Sequence, residues 1–204
     1  NNRTDISTRR NRNITKSITL IDMPYKTYTN DLQALKNAKA LLKYTKANMI
    51  KLEINRQNID IVKFLSEKKL NVIAHIGVTP QSFSDFKKIK AVGKNLIERG
   101  KLIKLAIDAE RAGAKAVLLE CVTQETSKKI TSLLSIPTIG IGSSKFCDGQ
   151  VLVFDDLVNI DDNNHLPKFV KKYLDFRYLA SKAVRRFTKD VEDGKFPSKK
   201  FIYF

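Results

Sequence analysis

Short apolar runs and longer stretches of helical periodicity alternate along this chain. Apolar runs bounded by polar residues predict six strands, at 17–23, 49–54, 71–77, 115–122, 137–142 and 149–154. Apolar positions at helical spacing predict helices near 30–45, 57–69, 95–112 and 124–134, with C-terminal helices from Pro167 to about Asp193. Strands that alternate with helices in this way imply an α/β fold with a parallel sheet and right-handed crossovers.

Two architectures satisfy this order of elements, an open doubly wound sheet and a closed barrel. No glycine-rich phosphate-binding loop follows the first strand, which disfavours the doubly wound sheet. We therefore predict a (β/α)8 TIM barrel. Such a barrel has eight strands and typically about 250 residues, whereas this sequence has 204 residues. We accordingly expect that the first two β/α units of the barrel are missing from the N-terminal side of this sequence.

The chain is predicted to form a single β/α barrel domain over residues 1–204. Residues 1–16 are polar and basic without periodicity, and they are expected to be loop or poorly ordered. Residues 17–156 supply the barrel strands and helices, and residues 157–204 supply C-terminal helices and a tail. Cys121 and Cys147 lack the spacing of a metal site, so we expect reduced thiols.

Four of the predicted strands end on or near an acid or a histidine. These residues are Asp22, Glu53, His75 and Glu120. A parallel barrel places its active site at the carboxyl ends of its strands and takes catalytic side chains from several of them. The pattern therefore predicts both the fold and the edge of the sheet at which chemistry takes place.

Lys51 stands two residues before Glu53 and so points to the same side of its strand. Buried charges in proteins are paired or bind metals. One interpretation is that Asp22 and Glu53 bind Mg²⁺, which prefers oxygen ligands and takes few carboxylates directly. The alternative is an ion-pair network of Asp22, Lys51 and Glu53 that only stabilises the top of the barrel, and the pattern alone leaves both open.

His75 and Glu120 also have two interpretations each. His75 is either a hydrogen-bonded core histidine or a ligand or general base. Glu120 ends an apolar strand, where desolvation raises the pKa of a carboxyl group and suits a general base. The alternative for Glu120 is an ion pair with a lysine from a neighbouring strand.

The chain carries a formal net charge of +17, from 38 Lys and Arg against 21 Asp and Glu. Such a charge is compatible with a basic, non-catalytic nucleic-acid-binding barrel. The lysines are spread along the whole chain without a stripe of arginine and aromatic residues, so we favour solvated helix faces that could help to gather an anionic ligand. No apolar stretch is long enough to span a membrane, and we expect a cytoplasmic protein.

Several ordered motifs make the sequence recognisable. They are Asp22-Met-Pro, 47–53 (ANMIKLE), 75–82 (HIGVTPQS), 119–122 (LECV), 136–142 (IPTIGIG), 147–153 (CDGQVLV), 167–170 (PKFV) and 191–197 (VEDGKFP). Together they closely resemble the ketopantoate hydroxymethyltransferase family over nearly all of residues 14–197.

This resemblance implies a Mg²⁺-dependent β/α barrel enzyme of pantothenate and coenzyme A biosynthesis. The implied reaction moves a hydroxymethyl group from 5,10-methylenetetrahydrofolate to 3-methyl-2-oxobutanoate and gives 2-dehydropantoate (ketopantoate) through a Mg²⁺-stabilised enolate. By resemblance, Asp22 and Glu53 bind the metal, and Glu120 is the proton acceptor. Asp22, Lys51 and His75 are the implied substrate-binding residues.

Family members assemble as large rings, usually decamers, so the resemblance also implies a homo-oligomer. The family's Gly-Asp-Ser-Leu-Gly segment, with a third metal carboxylate and a substrate-binding serine, does not occur in this sequence. A competing interpretation is another Mg²⁺-dependent barrel enzyme that makes or breaks C–C bonds in 2-oxo acids. Formation of ketopantoate only in the presence of the methylene folate distinguishes the two enzymes.

Overall fold

A computed structural model of the chain describes residues 17–82, 90–160 and 166–203. Residues 1–16, for which we expect a loop or poor order, lie outside the described residues. Compact packing divides the chain into two units, the first ending at Val151 and the second beginning at Leu152. No helix among the described residues is both long enough and apolar enough to cross a bilayer.

The strands and helices of the first unit follow the predicted alternation. Its strands are β1 (Leu20–Asp22), β2 (Met49–Glu53), β3 (Val72–Gly77), β4 (Ala116–Glu120), β5 (Thr138–Ile141) and β6 (Gly149–Gln150). Its helices are α1 (Asp31–Thr45), α2 (Ile59–Glu67), α3 (Leu96–Arg111) and α4 (Gln124–Leu133), with a 3-10 turn at Pro80–Ser82. Within the described ranges, the strands form one parallel sheet in the order β1-β2-β3-β4-β5-β6.

Local sequence signals account for the helix boundaries. Asn30 caps α1 by accepting a hydrogen bond from the Gln33 N–H. α3 starts after Asn95, whose side chain accepts from the Glu98 N–H, and the helix stops before Gly113, which has a φ of +91°. These caps leave loops of defined length between the helices and the strands.

The hydrophobic core lies between the sheet and the helices. Alternate strand residues such as Ile50, Leu52, Val72, Ile76 and Leu119 are almost fully buried and belong to one cluster. From the helices, the cluster includes Ala34, Ala38, Ile61, Val62, Leu65, Ala106, Ala109 and Ile130. Because strand side chains alternate between faces, the other face of the sheet carries the remaining positions of each strand.

The second unit begins differently from the prediction. A strand is expected over 149–154, but only Gly149 and Gln150 pair with β5, and the short helix α5 spans Phe154–Val158. The apolar run 151–154 resembles a strand, yet Asp155 and Asp156 stand in the first helical turn, where acidic side chains are favourable.

The C-terminal helix is also shorter than the prediction. Helix α6 spans Phe176–Glu192 and begins only after Asp175, whose carboxylate accepts a hydrogen bond from the Tyr178 N–H. The segment from Pro167 to Asp175 is not helical. A 3-10 turn at Lys199–Phe201 follows, and the Phe196 ring contacts the rings of Phe187 and Phe201.

The coarse fold prediction is confirmed as a parallel α/β sheet with sequential βα units. The described residues provide six strands, so the eight-stranded closed barrel stays a prediction. Both cysteines are buried and free, as expected.

Candidate active site

The register of the sheet brings the predicted site residues to one edge. At the carboxyl ends of the strands, the paired residues are Asp22–Lys51, Glu53–His75 and Gly77–Glu120. Residues that are paired in a parallel sheet point to the same face, as do residues two apart on one strand. All five predicted site residues therefore share the face that is not covered by the helices of the core.

Lys51 and Asp22 form the ion pair that the sequence suggests. The Lys51 Nζ lies 3.0 Å from the Asp22 Oδ2, with the side chains 17% and 48% exposed. An ion pair in which one partner is half exposed contributes little to stability, on the order of 0–1 kcal/mol. The pair places a cation and an anion side by side at the strand ends. Its small contribution to stability does not account for the presence of these two charges.

Glu53 is more deeply placed, with an exposed fraction of 6%. Its Oε1 accepts a hydrogen bond of 2.9 Å from the backbone N–H of Gln81, in the loop after β3. The Asn58 side-chain amide donates to the Glu53 carbonyl oxygen at 3.0 Å. The side-chain oxygen of Gln81 is buried and makes no hydrogen bond with any described residue. Both the backbone and the carboxylate of Glu53 are thus held in place by neighbouring loops.

His75 lies beside Glu120, with its Nε2 3.3 Å from the Glu120 Oε2. The contact is close enough for an ion pair but is not aligned as a hydrogen bond, and neither ring nitrogen has a hydrogen-bond partner among the described residues. His75 is buried as a core histidine would be, but no described residue completes the hydrogen bonding of its ring, so both interpretations of His75 stay predictions. Among the described residues, this imidazole contacts the Glu120 carboxylate and no lysine is paired with it, so the alternative for Glu120 stays open.

The absence of a hydrogen-bond partner for the His75 ring among these residues is chemically informative because the residue is only 1% exposed. A buried donor or acceptor without a partner costs on the order of 1–3 kcal/mol. Such a cost is typical of polar groups that a bound molecule completes. An imidazole in contact with a carboxylate is a combination of groups that general acid–base chemistry uses.

The backbone next to Glu120 adopts two conformations that side chains disfavour. Gly77 has a φ of +103°, and a Cβ atom there would collide with the Glu120 carbonyl oxygen and lie 2.7 Å from the Val122 Cγ2. Cys121 has a φ of +51° with its side chain buried. Burial, and secondly the charge of Glu120, raise the pKa of the Cys121 thiol to about 11, which argues against a nucleophilic role. This close contact between β3 and β4 fixes the position of the Glu120 backbone.

Two residues of the site carry no role in the sequence-based prediction. Tyr28 is buried in the loop after β1, where burial, and secondly the charge of Glu53, raise the pKa of its phenol to about 12. Gln81 stands within the 75–82 motif, but its contact with Glu53 comes from the backbone N–H, which residue identity does not reveal. For Tyr28 the only available signal is an aromatic residue within a polar loop.

The two carboxylates Asp22 and Glu53 suit Mg²⁺, which completes its coordination with water or substrate oxygens, better than a metal that takes all of its ligands from the protein. Within residues 17–82, 90–160 and 166–203, no group of three or more His, Cys, Asp and Glu side chains could hold an ion. Mg²⁺ commonly takes one or two carboxylates and keeps water or substrate oxygens as its other ligands. Asp22 and Glu53, on adjacent strands and the same face, fit that requirement.

Comparisons with known proteins place these residues in a family context. The family model described as "Ketopantoate hydroxymethyltransferase" matches residues 6–199. A 3-methyl-2-oxobutanoate hydroxymethyltransferase from Pelagibacter ubique is 42% identical over 190 residues, covering 93% of this chain and 72% of the relative. The enzyme of the same name from Campylobacter concisus is 41% identical over 188 residues, covering 92% of this chain and 69% of the relative.

A solved structure supports the fold at greater distance. The crystal structure of a phosphonopyruvate hydrolase complex with oxalate and Mg²⁺ aligns with a TM-score of 0.50 and 14% sequence identity, over 98% of this chain and 74% of that chain. At this identity the likeness concerns the fold alone.

The close approach at Gly77 generates a stability prediction. We expect Gly77→Ala to destabilise the protein by roughly 2–4 kcal/mol, because the new methyl group meets backbone and the residue must keep a positive φ. Gly100→Ala is the matched control, since Gly100 lies within α3 with nothing within 4 Å of a built Cβ. The control should stabilise the protein by about 0.5–1 kcal/mol. Urea unfolding of both variants measures the difference, and equal midpoints would contradict this account of the β3–β4 contact.

Proposed function

Because the chain belongs to the ketopantoate hydroxymethyltransferase family, we propose that this protein converts 3-methyl-2-oxobutanoate to 2-dehydropantoate with 5,10-methylenetetrahydrofolate as the one-carbon donor. The family's reaction belongs to pantothenate synthesis. The observation that carries the proposal is the convergence of Asp22, Lys51, Glu53, His75 and Glu120 on one face at one edge of the sheet. Acid, cation and imidazole groups from four strands meet there, as the conversion of a 2-oxo acid requires.

Binding of the keto acid is assigned to Lys51, Asp22 and His75. The Lys51 ammonium lies at the strand ends and would neutralise the negative charge of the acid. The His75 ring, which has no hydrogen-bond partner among the described residues, would complete its hydrogen bonding on a substrate oxygen. Asp22 fixes the position of Lys51 through their contact of 3.0 Å.

Mg²⁺ would be held by Asp22 and Glu53, with substrate and water oxygens as further ligands. When bound, Mg²⁺ supplies a Lewis acid that polarises the 2-oxo group and stabilises negative charge on its oxygen. The Gln81 N–H orients Glu53 by donating to one carboxylate oxygen. The orientation of the second potential ligand, Asp22, is limited by its ion pair with Lys51.

Glu120 is proposed as the general base. Its carboxylate removes the proton from C3 of the keto acid, and the C–H electron pair forms the enolate. The enolate carbon attacks the folate-borne methylene carbon and a C–C bond forms, while both C–N bonds that join this carbon to the folate break. Water supplies the hydroxyl oxygen, and the two folate nitrogens take up one proton from C3 and one from water. His75, with its Nε2 3.3 Å from the Glu120 Oε2, orients the carboxylate and can share the proton taken up there.

The setting of the reaction follows from the same proposal. We expect the protein to act in the cytoplasm and to assemble as a homo-oligomer, a decamer by resemblance to its family.

Dependence on the folate donor tests the proposed function. We expect the protein to form ketopantoate from 3-methyl-2-oxobutanoate and Mg²⁺ only when 5,10-methylenetetrahydrofolate is added, because the new carbon comes from the folate. Product is measured by mass spectrometry, with ¹³C in the methylene group as a tracer. Product that lacks the label, or that forms equally without folate, would instead support an enzyme that makes or breaks C–C bonds in 2-oxo acids.

Exchange of the C3 proton tests the base separately from transfer. With Mg²⁺ and the keto acid in D₂O, we expect Glu120→Gln to slow deuterium incorporation at C3 by about 10²- to 10⁴-fold, the usual contribution of a positioned base. Glu125→Gln is the control, because Glu125 is an exposed acid at the start of α4 that pairs with Arg99. Proton NMR follows the loss of the C3 signal. An unchanged exchange rate in Glu120→Gln would remove Glu120 from this role.

Metal affinity tests the role of Glu53. By isothermal titration calorimetry in the presence of the keto acid, we expect Glu53→Gln to weaken Mg²⁺ binding by at least about tenfold, because a neutral amide replaces one of two anionic ligands. Glu67→Gln changes an exposed acid at the end of α2 and should leave the affinity unchanged. Equal Mg²⁺ affinities in the two variants would show that Glu53 is not a ligand.

A further inference from the structure

The face of the sheet that carries the five clustered site residues, which we call the site face, is polar on one side and apolar on the other. Its ionisable side chains lie on β1, β2, β3 and at the end of β4, whereas Leu118 on β4 and Ile139 and Ile141 on β5 are apolar. The register places His75 beside Leu118, and Leu118 beside Ile139. Glu120 lies at the boundary, because it follows Leu118 by two residues and pairs with Ile141.

The apolar side chains of the site face are separate from the core between the sheet and the helices. Leu118 is 4% exposed and Ile141 is 9% exposed, yet neither belongs to the core cluster. Ile73 and Ala116, which pair with each other in an adjacent layer of the same face, are likewise buried outside that cluster. The site face therefore has an apolar surface of its own, which the packing of the helices does not require.

Glu120 has two neighbours in the register of the sheet. On β3 it pairs with Gly77, which has no side chain, and on β5 it pairs with Ile141. The Cys121 N–H donates to the Ile141 carbonyl at 2.9 Å, so the pairing of the two strands continues beyond Glu120. Adjacent strands lie about 4.8 Å apart. Ile141 is therefore the side chain that borders Glu120 within the ladder.

The proposed substrate is divided in the same way as the site face. 3-Methyl-2-oxobutanoate carries its carboxylate and oxo group at one end, and a C3 atom with two methyl groups at the other. If Glu120 removes the C3 proton, C3 lies within reach of the Glu120 carboxylate and the methyl groups lie beside it. The charged end is favoured on the side of Lys51 and the proposed metal ligands. The methyl groups then lie on the side of Ile141, where apolar contact is favourable.

From register, burial and charge together, we infer that Ile141 is a specificity-determining residue, whose side chain sets the size of the alkyl group on C3 of the 2-oxo acid. This inference rests on the proposed function. Isoleucine suits such a role because its β-branched side chain has restricted rotation about χ1 and so presents a fixed surface. A larger alkyl group at C3 would have to displace this side chain, and a smaller residue at position 141 would admit it.

The test compares two 2-oxo acids that differ by one methylene group at C3, 3-methyl-2-oxobutanoate and 3-methyl-2-oxopentanoate. With Mg²⁺ in D₂O and without folate, deuterium incorporation at C3 gives kcat/KM for each acid, and isothermal titration calorimetry gives each Kd. One methylene group in an apolar pocket changes such values by about 10- to 200-fold. We expect Ile141→Ala to shift the ratio of the two kcat/KM values about tenfold or more toward the larger acid. Because the ratio compares both acids in one variant, a general loss of activity cancels.

Two further variants separate a contact with the alkyl group from a general effect on packing. Ile141→Val removes one methylene group, disturbs the packing less than Ile141→Ala, and should shift the ratio in the same direction by a smaller factor. Ile50→Val makes the same change on the helix-covered face, where Ile50 is fully buried in the core cluster, and should leave the ratio within about twofold of the wild type. Circular dichroism checks that the variants fold. An unshifted ratio in both Ile141 variants, or an equal shift in Ile50→Val and Ile141→Val, would overturn the assignment.

The outcomes also separate this inference from the proposed function. If labelled ketopantoate forms but neither Ile141 variant shifts the ratio, the function stands and the assignment of Ile141 is wrong. If Ile141→Ala shifts the ratio but labelled ketopantoate does not form, the assignment stands and the proposed reaction is wrong. If the wild type neither binds these acids nor exchanges their C3 proton, both are wrong.

Discussion

The register of the parallel ladder is the constraint on which the whole candidate site depends. Immediately beyond the site side chains, Met23 donates to the Lys51 carbonyl, Ile54 to the His75 carbonyl and Val78 to the Glu120 carbonyl, at 2.9–3.0 Å. These bonds fix the backbone at the point from which the ionisable side chains project. A slip of one residue in any pair would turn the side chains of that strand onto the helix-covered face, where they would replace core residues. Burial of the apolar positions therefore also determines where the charged ones lie.

The residues of the candidate site lower the stability of the fold. Glu53 and His75 are almost fully buried, and the His75 ring has no hydrogen-bond partner in the described part of the chain. Burial of a polar or charged side chain costs free energy unless hydrogen bonds or an opposite charge compensate for the lost water. The left-handed backbone of Cys121 next to Glu120 adds a further cost. Locally unfavourable features that gather at one edge of an otherwise regular sheet are expected where function determines the sequence.

The strand ends could be predicted from sequence because they combine two strong signals, a short apolar run and a terminal ionisable residue. The same reasoning failed at 149–154, where four apolar residues resemble a strand but acidic residues begin helix α5. It also placed the start of the C-terminal helix too early, since the capping interaction of Asp175 decides where α6 begins. The roles of Tyr28 and Gln81 could not be read from the sequence, because one depends on tertiary burial and the other on a backbone N–H. Residue type gives no information about either.

Two different kinds of interaction hold the two parts of the site, and this difference has consequences for how each can vary. The strand-end residues depend on ladder hydrogen bonds, which any non-proline residue can make, so their side chains can change while the backbone keeps its place. The loops after β1 and β2 depend on side-chain hydrogen bonds from Thr27, Asn37 and Asn58, which particular residue types must supply. Substitution in the loops can therefore reshape the cavity next to Glu53 while Glu53 and Glu120 keep their positions. Loops on a rigid scaffold commonly set specificity in this way. Glu53 lies at the boundary, because it ends strand β2 and also lines the cavity between the loops.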